Sequence, residues 1–351
     1  MKKYISALAA VLMVLTACSK TEMPVETSSP VKMTLTATIG ADTKVHVEDV
    51  ENVLKTKWEI GDKVSVIALD QSYNVISNDI FQAEAEGKST NFIGTFTNDP
   101  ATQYVRVFYP ALTEGEGTDQ SKWNSPAADG YNSTGPLYNV AKESGYLNYY
   151  VGYQLQKKNN DCTHLTNYIV LSGNAGLPEL QGGNWNVVLN HRSYVVKCEI
   201  TFPDDALNLS LKSFKIDVYD HTGQVTIPVS GSAWTSINED ENFPGGWQSS
   251  YVMCLGEEID SGYGTGIDIL ENTFTVYMVA YAGVSWNYNV QDTRQYQLTA
   301  GDYMKFTAVV FDGENNRQYV LNKKDVANTV VLENGKMYRT GATLELAVPE
   351  D

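Results

Sequence analysis

The stretch Val31-Lys-Met-Thr-Leu-Thr-Ala-Thr-Ile39 alternates without a break. Val31, Met33, Leu35, Ala37 and Ile39 fall on one side, and Lys32, Thr34, Thr36 and Thr38 on the other. A period of two is the mark of a strand with one buried face. The same pattern returns at 63–69, 103–109, 194–202, 273–280, 304–310 and 342–348. In 194–202, Tyr194, Val196, Cys198, Ile200 and Phe202 point inward while Lys197, Glu199 and Thr201 point outward. Leu207, Leu209 and Leu211 carry one phase and Phe214, Ile216 and Val218 the other, so a bulge or bend is predicted near Lys212-Ser213. No window of helical length carries a 3.6-residue apolar stripe; one short turn is expected at 322–328. Many short strands separated by Gly- and Asn-rich turns predict an all-β chain of two tandem antiparallel β-sandwich domains.

Working outward toward the N-terminus, residues 18–30 are polar and rich in Ser, Thr and Pro, and read as a linker. Ahead of them stands MKKYISALAAVLMVLTAC, residues 1–18: two lysines, an apolar run from Ile5 to Val14, then small residues before a cysteine. That is the order of a secretory signal, and the apolar run is too short for a membrane span of about 20 residues. Its end resembles a bacterial lipobox, which implies cleavage between Ala17 and Cys18 and acylation of Cys18. Residues 1–17 are therefore read as a lipoprotein signal peptide, leaving a chain tethered by its lipids.

The formal charge of −17 becomes −19 once Lys2 and Lys3 are removed with the signal. A chain this acidic repels nucleic acid and anionic lipid, so no nucleic-acid partner is expected. Beyond Cys18 only Cys162, Cys198 and Cys254 remain, without metal-ligand spacing, and no disulfide framework is predicted. Toward the C-terminus, 112–145 is poor in strand patterns, 173–184 is a second irregular stretch, and 238–246 a third. The second is taken as the boundary, giving an N-terminal domain at 31–181 and a C-terminal domain at 182–351.

Several landmarks resemble a family. TKWEIGDKVSV (56–66) resembles the W-x-x-G-D signature of fimbrillin-like proteins, the type V pilins of Bacteroidales. NFIGTF (91–96), FYPA (108–111), LNHR (189–192) leading into 194–202, and LENGKMY (332–338) resemble four further landmarks in the same order. The resemblance spans almost the whole mature chain, and it implies that the two sandwiches are transthyretin-like with Greek-key connections. It implies a structural subunit of surface fimbriae, at the outer membrane as a lipid-anchored precursor and then in the filament, mediating adhesion and biofilm formation with other fimbrial subunits as partners. A host or bacterial surface ligand is compatible with it. The family works by strand exchange, so the first strand (Val31, Met33, Leu35, Ala37, Ile39) would be removed by cleavage at Lys44, where family members usually carry Arg. Leu344, Leu346 and Val348 would supply the donor strand. Since only Pro349, Glu350 and Asp351 follow them, that strand is expected to be used within the chain's own sheet, which favours a tip over a shaft position.

Read as chemistry alone, Gly61-Asp62 makes a turn, Trp58 a core plug, and His191 a structural residue. His46, His164, His191 and His221 are scattered, and there is no HExxH, GxSxG or P-loop. The expectation is no enzyme, no cofactor and no metal site. Tyrosines number 22 and tryptophans 6. Those at 146–153 and 281–288 fit cross-strand packing or an exposed binding surface. The second reading is thus a permanently anchored glycan-binding lipoprotein using Trp123 and Trp286.

Overall fold

The computed structural model describes residues 29–40, 48–50, 53–55, 57–72, 74–114, 123–124, 136–141, 146–151, 154–177, 185–219, 232–236, 242–243, 250–260, 263–280, 284–287, 290–295 and 297–348. The fold is all-β. Among the described residues, the helical pieces are the 3-10 turns Thr163–Asn167 and Asp204–Ala206. The longer strands of the N-terminal half are β1 (Ser29–Ile39), β2 (Lys63–Leu69), β3 (Val75–Ala83), β4 (Ser89–Asn98) and β5 (Tyr104–Tyr109). They are followed by β6 (Gln154–Gln156), β7 (Leu171–Asn174) and β8 (Trp185–His191). The C-terminal half holds β9 (Tyr194–Thr201), β10 (Ser210–Tyr219), β11 (Ser250–Leu255), β12 (Thr273–Ala280), β13 (Tyr303–Phe311), β14 (Asn316–Asp325), β15 (Met337–Thr343) and β16 (Glu345–Leu346).

The first sheet runs β1-β8-β7-β5-β2-β3-β4 and closes on β1 as a barrel. The N-terminal strands therefore bury their inward phases in a ring; they do not form two separate facing sheets. Closure also removes the exposed edges that an open sheet would present. The second group forms a seven-stranded sheet, β6-β11-β10-β13-β14-β16 with Ile267–Asp268 added to β10, and a three-stranded sheet, β12-β9-β15. The two enclose one core: Cys198 and Ile200 from β9 and Val276 from β12 cluster with Phe214 and Ile216 from β10 and Phe306 from β13. The bulge predicted near Lys212-Ser213 is present as a register shift between Leu211 and Ser213.

Several expectations are corrected by pairing that is distant in sequence. β8 was placed after the 181/182 boundary, yet it hydrogen-bonds β1 and β7, and Trp185, Val187 and Leu189 sit in the N-terminal core. Lys197, expected outside, is buried: its Nζ lies 5.4 Å from the Tyr277 ring, and the neighbouring Val195 joins the N-terminal core together with Tyr277 and Val279. β9 and β12 are therefore covered on both faces, one by each core. The turn expected at 322–328 is for the most part β14, which runs to Asp325.

Candidate functional site

The first strand is the element that the sequence singled out, and the barrel is closed through it. β1 pairs antiparallel with β4 from Ser29↔Asn98 to Thr38↔Ser89, and parallel with β8 from Leu35↔Trp185 to Ile39↔Leu189. β8 reaches only residues 35–39, so Ser29 to Thr34 are paired on one side. This explains a departure from the sequence expectation. Leu35, Ala37 and Ile39 are fully buried, Met33 is half-buried against the core, and Val31 is 37% exposed.

Trp58 forms the floor beneath β1. Its indole Nε1–H donates to the backbone carbonyl of Ala37 at 3.1 Å. Its ring meets Phe92 edge-on at 4.9 Å and Tyr109 at 5.4 Å between centroids. The turn that follows is built as its residues predict. Gly61 has φ +93, and Asp62 Oδ2 accepts the Glu59 N–H at 2.8 Å. Tyr109 donates to Asp62 Oδ1 at 3.5 Å, and burial beside that carboxylate pushes the phenol's pKa up. Gly94 stands opposite Met33, and a Cβ there would come within 2.5 Å of the Phe81 ring. At the far end, Gly40 N–H donates to Leu189 O and Ile39 N–H to Lys88 O. Of the residues quoted as landmarks, Phe92 and Gly94 thus pair with β1, Trp58 bonds to it, and Tyr109 packs behind Trp58.

Trp185, which sequence reasoning passed over, completes the wall. It packs edge-on against Phe96 at 5.2 Å and Phe81 at 6.1 Å, and its Nε1–H donates to Ala175 O. Its alternation with Val187 and Leu189 was visible, but nothing local says which sheet a strand joins.

The second unforeseen cluster covers the free edge of β12. Val279 gives its N–H to Gln154 Oε1 at 2.6 Å, and its carbonyl accepts from Gln154 Nε2 at 2.7 Å. Gln156 does the same for Tyr277 N–H and Thr275 O, at 3.0 and 2.8 Å. Asn159 Oδ1 accepts the Thr275 N–H, and His164 Nε2 donates to Tyr277 O at 2.9 Å. Side-chain amides from one segment thus stand in for a neighbouring strand. Burial pushes His164 down to about 4 and His191 to about 3. His164 Nδ1 and His191 Nε2 lack hydrogen-bond partners. Neither imidazole is set up as a base or ligand.

The other sequence-predicted positions divide as follows. Ala17, Cys18 and Lys44 lie outside the described residues. Trp123 and Trp286 lie in short strands, Trp123–Asn124 and Val284–Asn287, with side chains outside the description. The strand expected at 342–348 is split. β15 ends at Thr343, Leu344 is buried with its N–H on Thr201 O, and β16 crosses to pair with β14. Leu346 and Val348 are 44% and 84% exposed. The chain changes sheets here because β9 and β14 belong to opposite walls of the core. Cys162, Cys198 and Cys254 are buried free thiols. Among the described residues no group of three or more His, Cys, Asp or Glu is placed to hold a metal ion.

No protein-family model and no curated protein sequence matches the chain. Among solved structures it is similar to a candidate cell adhesion protein of Bacteroides ovatus (11% identity, 92% of this chain and 97% of that one, TM-score 0.41). It is similar also to a candidate cell adhesion protein of Bacteroides uniformis (12%, 90% and 95%, 0.38). A third is a fimbrial assembly protein of Parabacteroides distasonis (13%, 90% and 92%, 0.36). At such identities, and with TM-scores below 0.5, likeness says nothing of binding or assembly, which must be argued from the chain itself.

Proposed function

We propose that this chain is a structural subunit of cell-surface fimbriae, secreted as a precursor acylated on Cys18 at the outer membrane and assembled by exchange of its first strand. In this reading β1 leaves with the lipid when the chain is cut at Lys44, and a strand of the next subunit takes its place. Adhesion and biofilm formation follow from the filament, and a tip position is favoured over the shaft. Two domains are proposed in place of the 31–181 and 182–351 division, the N-terminal one closed as the barrel that includes β8 and the C-terminal one a sandwich of the two facing sheets.

One observation carries the reading. β1 is the strand that closes the barrel, held between β4 and β8, so its loss leaves two strand edges and a slot lined by Trp58, Phe92 and Trp185. An edge of that kind accepts an extended segment through its main chain, while pockets for alternate side chains select it. Leu35 and Ile39, with smaller terms for Ala37 and Met33, contribute on the order of 5 kcal/mol of apolar burial as an upper bound. Typical domains are stable by about 5 to 15 kcal/mol, so the emptied slot leaves little margin and an incoming strand restores it.

The test is electron microscopy of cells with and without the gene product, using wild-type β1 and a Leu35→Asp, Ile39→Asp variant. Filaments that are lost or shortened without the protein support the reading. Unchanged filaments, with saturable polysaccharide binding abolished by Trp286→Ala or Trp123→Ala, support the anchored glycan-binding lipoprotein instead.

A further inference from the structure

The strand edges of the two halves are built differently. In the C-terminal half, β6 and β16 end the seven-stranded sheet and are 3 and 2 residues long, and edge strands that short template little. The Leu155 N–H of β6 is taken as well, by the Tyr168 hydroxyl at 3.1 Å. Beyond its pairing with β16, β14 carries Lys323, Lys324 and Asp325, and the Lys324 ammonium bonds Gly341 O and Thr340 Oγ1 on β15. Charges placed on an edge hinder the addition of another strand.

β12 has none of these devices: it is 8 residues long and contains no charged residue and no proline. What covers it is a set of side chains from one segment. Gln154 takes both Val279 N–H and Val279 O, Gln156 takes Tyr277 N–H and Thr275 O, and His164 donates to Tyr277 O. Asn159 accepts from Thr275 N–H and reaches on to Thr273 O at 3.3 Å. The groups with which Thr275, Tyr277 and Val279 would receive a strand are therefore all occupied. The barrel is the opposite case. β4 and β8, the neighbours of β1, are 10 and 7 residues long and contain no Lys, Arg, Asp, Glu or Pro.

We infer that Gln154, Gln156, Asn159 and His164 are specificity residues for assembly: by occupying the β12 edge they confine an incoming strand to the slot between β4 and β8. A carboxamide carries a donor and an acceptor together, so one glutamine serves an N–H and a C=O as a strand would. An extended segment arriving at β12 gains its main-chain bonds only by displacing bonds already made within the chain, whereas the slot left by β1 offers two bare edges. One acceptor per subunit gives linear addition, and a second would give branches. The inference rests on the reading that β1 is exchanged, and it adds where a strand is turned away.

Capture of a biotinylated peptide of residues 29–39 by the intact protein tests it, with hydrogen exchange reading where the peptide sits. Wild type gains no protection at 273–280. The Gln154→Ala, Gln156→Ala, Asn159→Ala triple variant captures the peptide saturably, roughly tenfold more tightly than wild type, and segment 273–280 becomes protected when it does. A folded triple variant that captures no more peptide than wild type overturns the inference. So does capture by the variant that leaves 273–280 unprotected, or wild type that takes the peptide at 273–280. If circular dichroism shows the triple variant to be misfolded, Gln156→Ala alone, which uncovers the Tyr277 N–H, is judged by the same criteria. Because β1 stays in place in every protein tested, failure here is distinct from failure of the exchange itself, which is read in filaments.

Discussion

Trp58 ties a turn, a core and a strand together through one indole. Replacing it with Phe keeps a ring against Phe92 but leaves the buried Ala37 carbonyl without this donor, at a cost of about 1 to 3 kcal/mol. Trp58→Ala adds a cavity and costs about 3 to 5 kcal/mol. Urea unfolding of both variants checks the order, and equal losses would mean that the hydrogen bond contributes nothing. His164 gives a second prediction at this scale. Its folded pKa of about 4 lies below the ordinary 6.5, so the unfolded chain binds more protons between those values. Its stabilising effect is complete above about pH 6.5 and is lost as the pH falls toward 4. The full span is on the order of 3 kcal/mol. Most carboxylates titrate below pH 5, so the slope from 5 to 6.5 isolates the histidines. His164→Gln flattens that slope in part, leaving the same-signed share of His191, whose value is lowered to about 3.

Strands were legible where one face is buried and the next is wet. β1 matches its alternation closely from Lys32 to Ile39, and even the bulge at Leu211/Ser213 was written in a change of phase, whereas β2 and β12 are buried on both phases beyond their first residues, which a period of two does not announce. β9 was legible only by half, since Lys197 looks outward by period but is covered by a second core that no local pattern announces. β6 was not legible at all. Glutamines at alternate positions read as a wet face, yet Gln154 and Gln156 cap the edge of β12. Gln154→Leu or Gln156→Leu leaves two buried backbone groups unpaired, at about 1 to 3 kcal/mol for each group. The double variant is predicted to aggregate on partial unfolding, because an unprotected edge invites pairing. Light scattering at mild denaturant checks this, and a double variant as soluble as wild type would show the amides to be incidental. β16 supplies the other test among the strands. Removing residues 345–351 spares β15 and Leu344. The truncated protein is predicted to remain folded and, if it sits at the tip, to assemble as before; loss of assembly with an unchanged far-ultraviolet spectrum would make that segment a donor.

In the molecule as a whole, two cores share one pair of strands. Val195, Tyr277 and Val279 lie in the N-terminal cluster while Val196, Cys198 and Val276 lie in the C-terminal one, and the segment from Gln154 to Leu171 is anchored in both halves. The position of the first strand follows from this arrangement. The ring depends on β1 for closure, whereas the C-terminal core takes no side chain from it. Loss of β1 is therefore a local opening that leaves the other half able to hold its shape. The strand's alternation could be read from the sequence; its parallel partner β8 could not, since some 150 residues separate the two strands and only the fold brings them together. In the proposed function β1 is the replaceable strand. Mass spectrometry of the N-terminus of this protein in purified surface filaments tests it most directly. The account predicts chains that begin after Lys44, with residues 18–44 absent; chains that retain an acylated Cys18 joined to an intact Val31–Ile39 strand in every assembled molecule would contradict it.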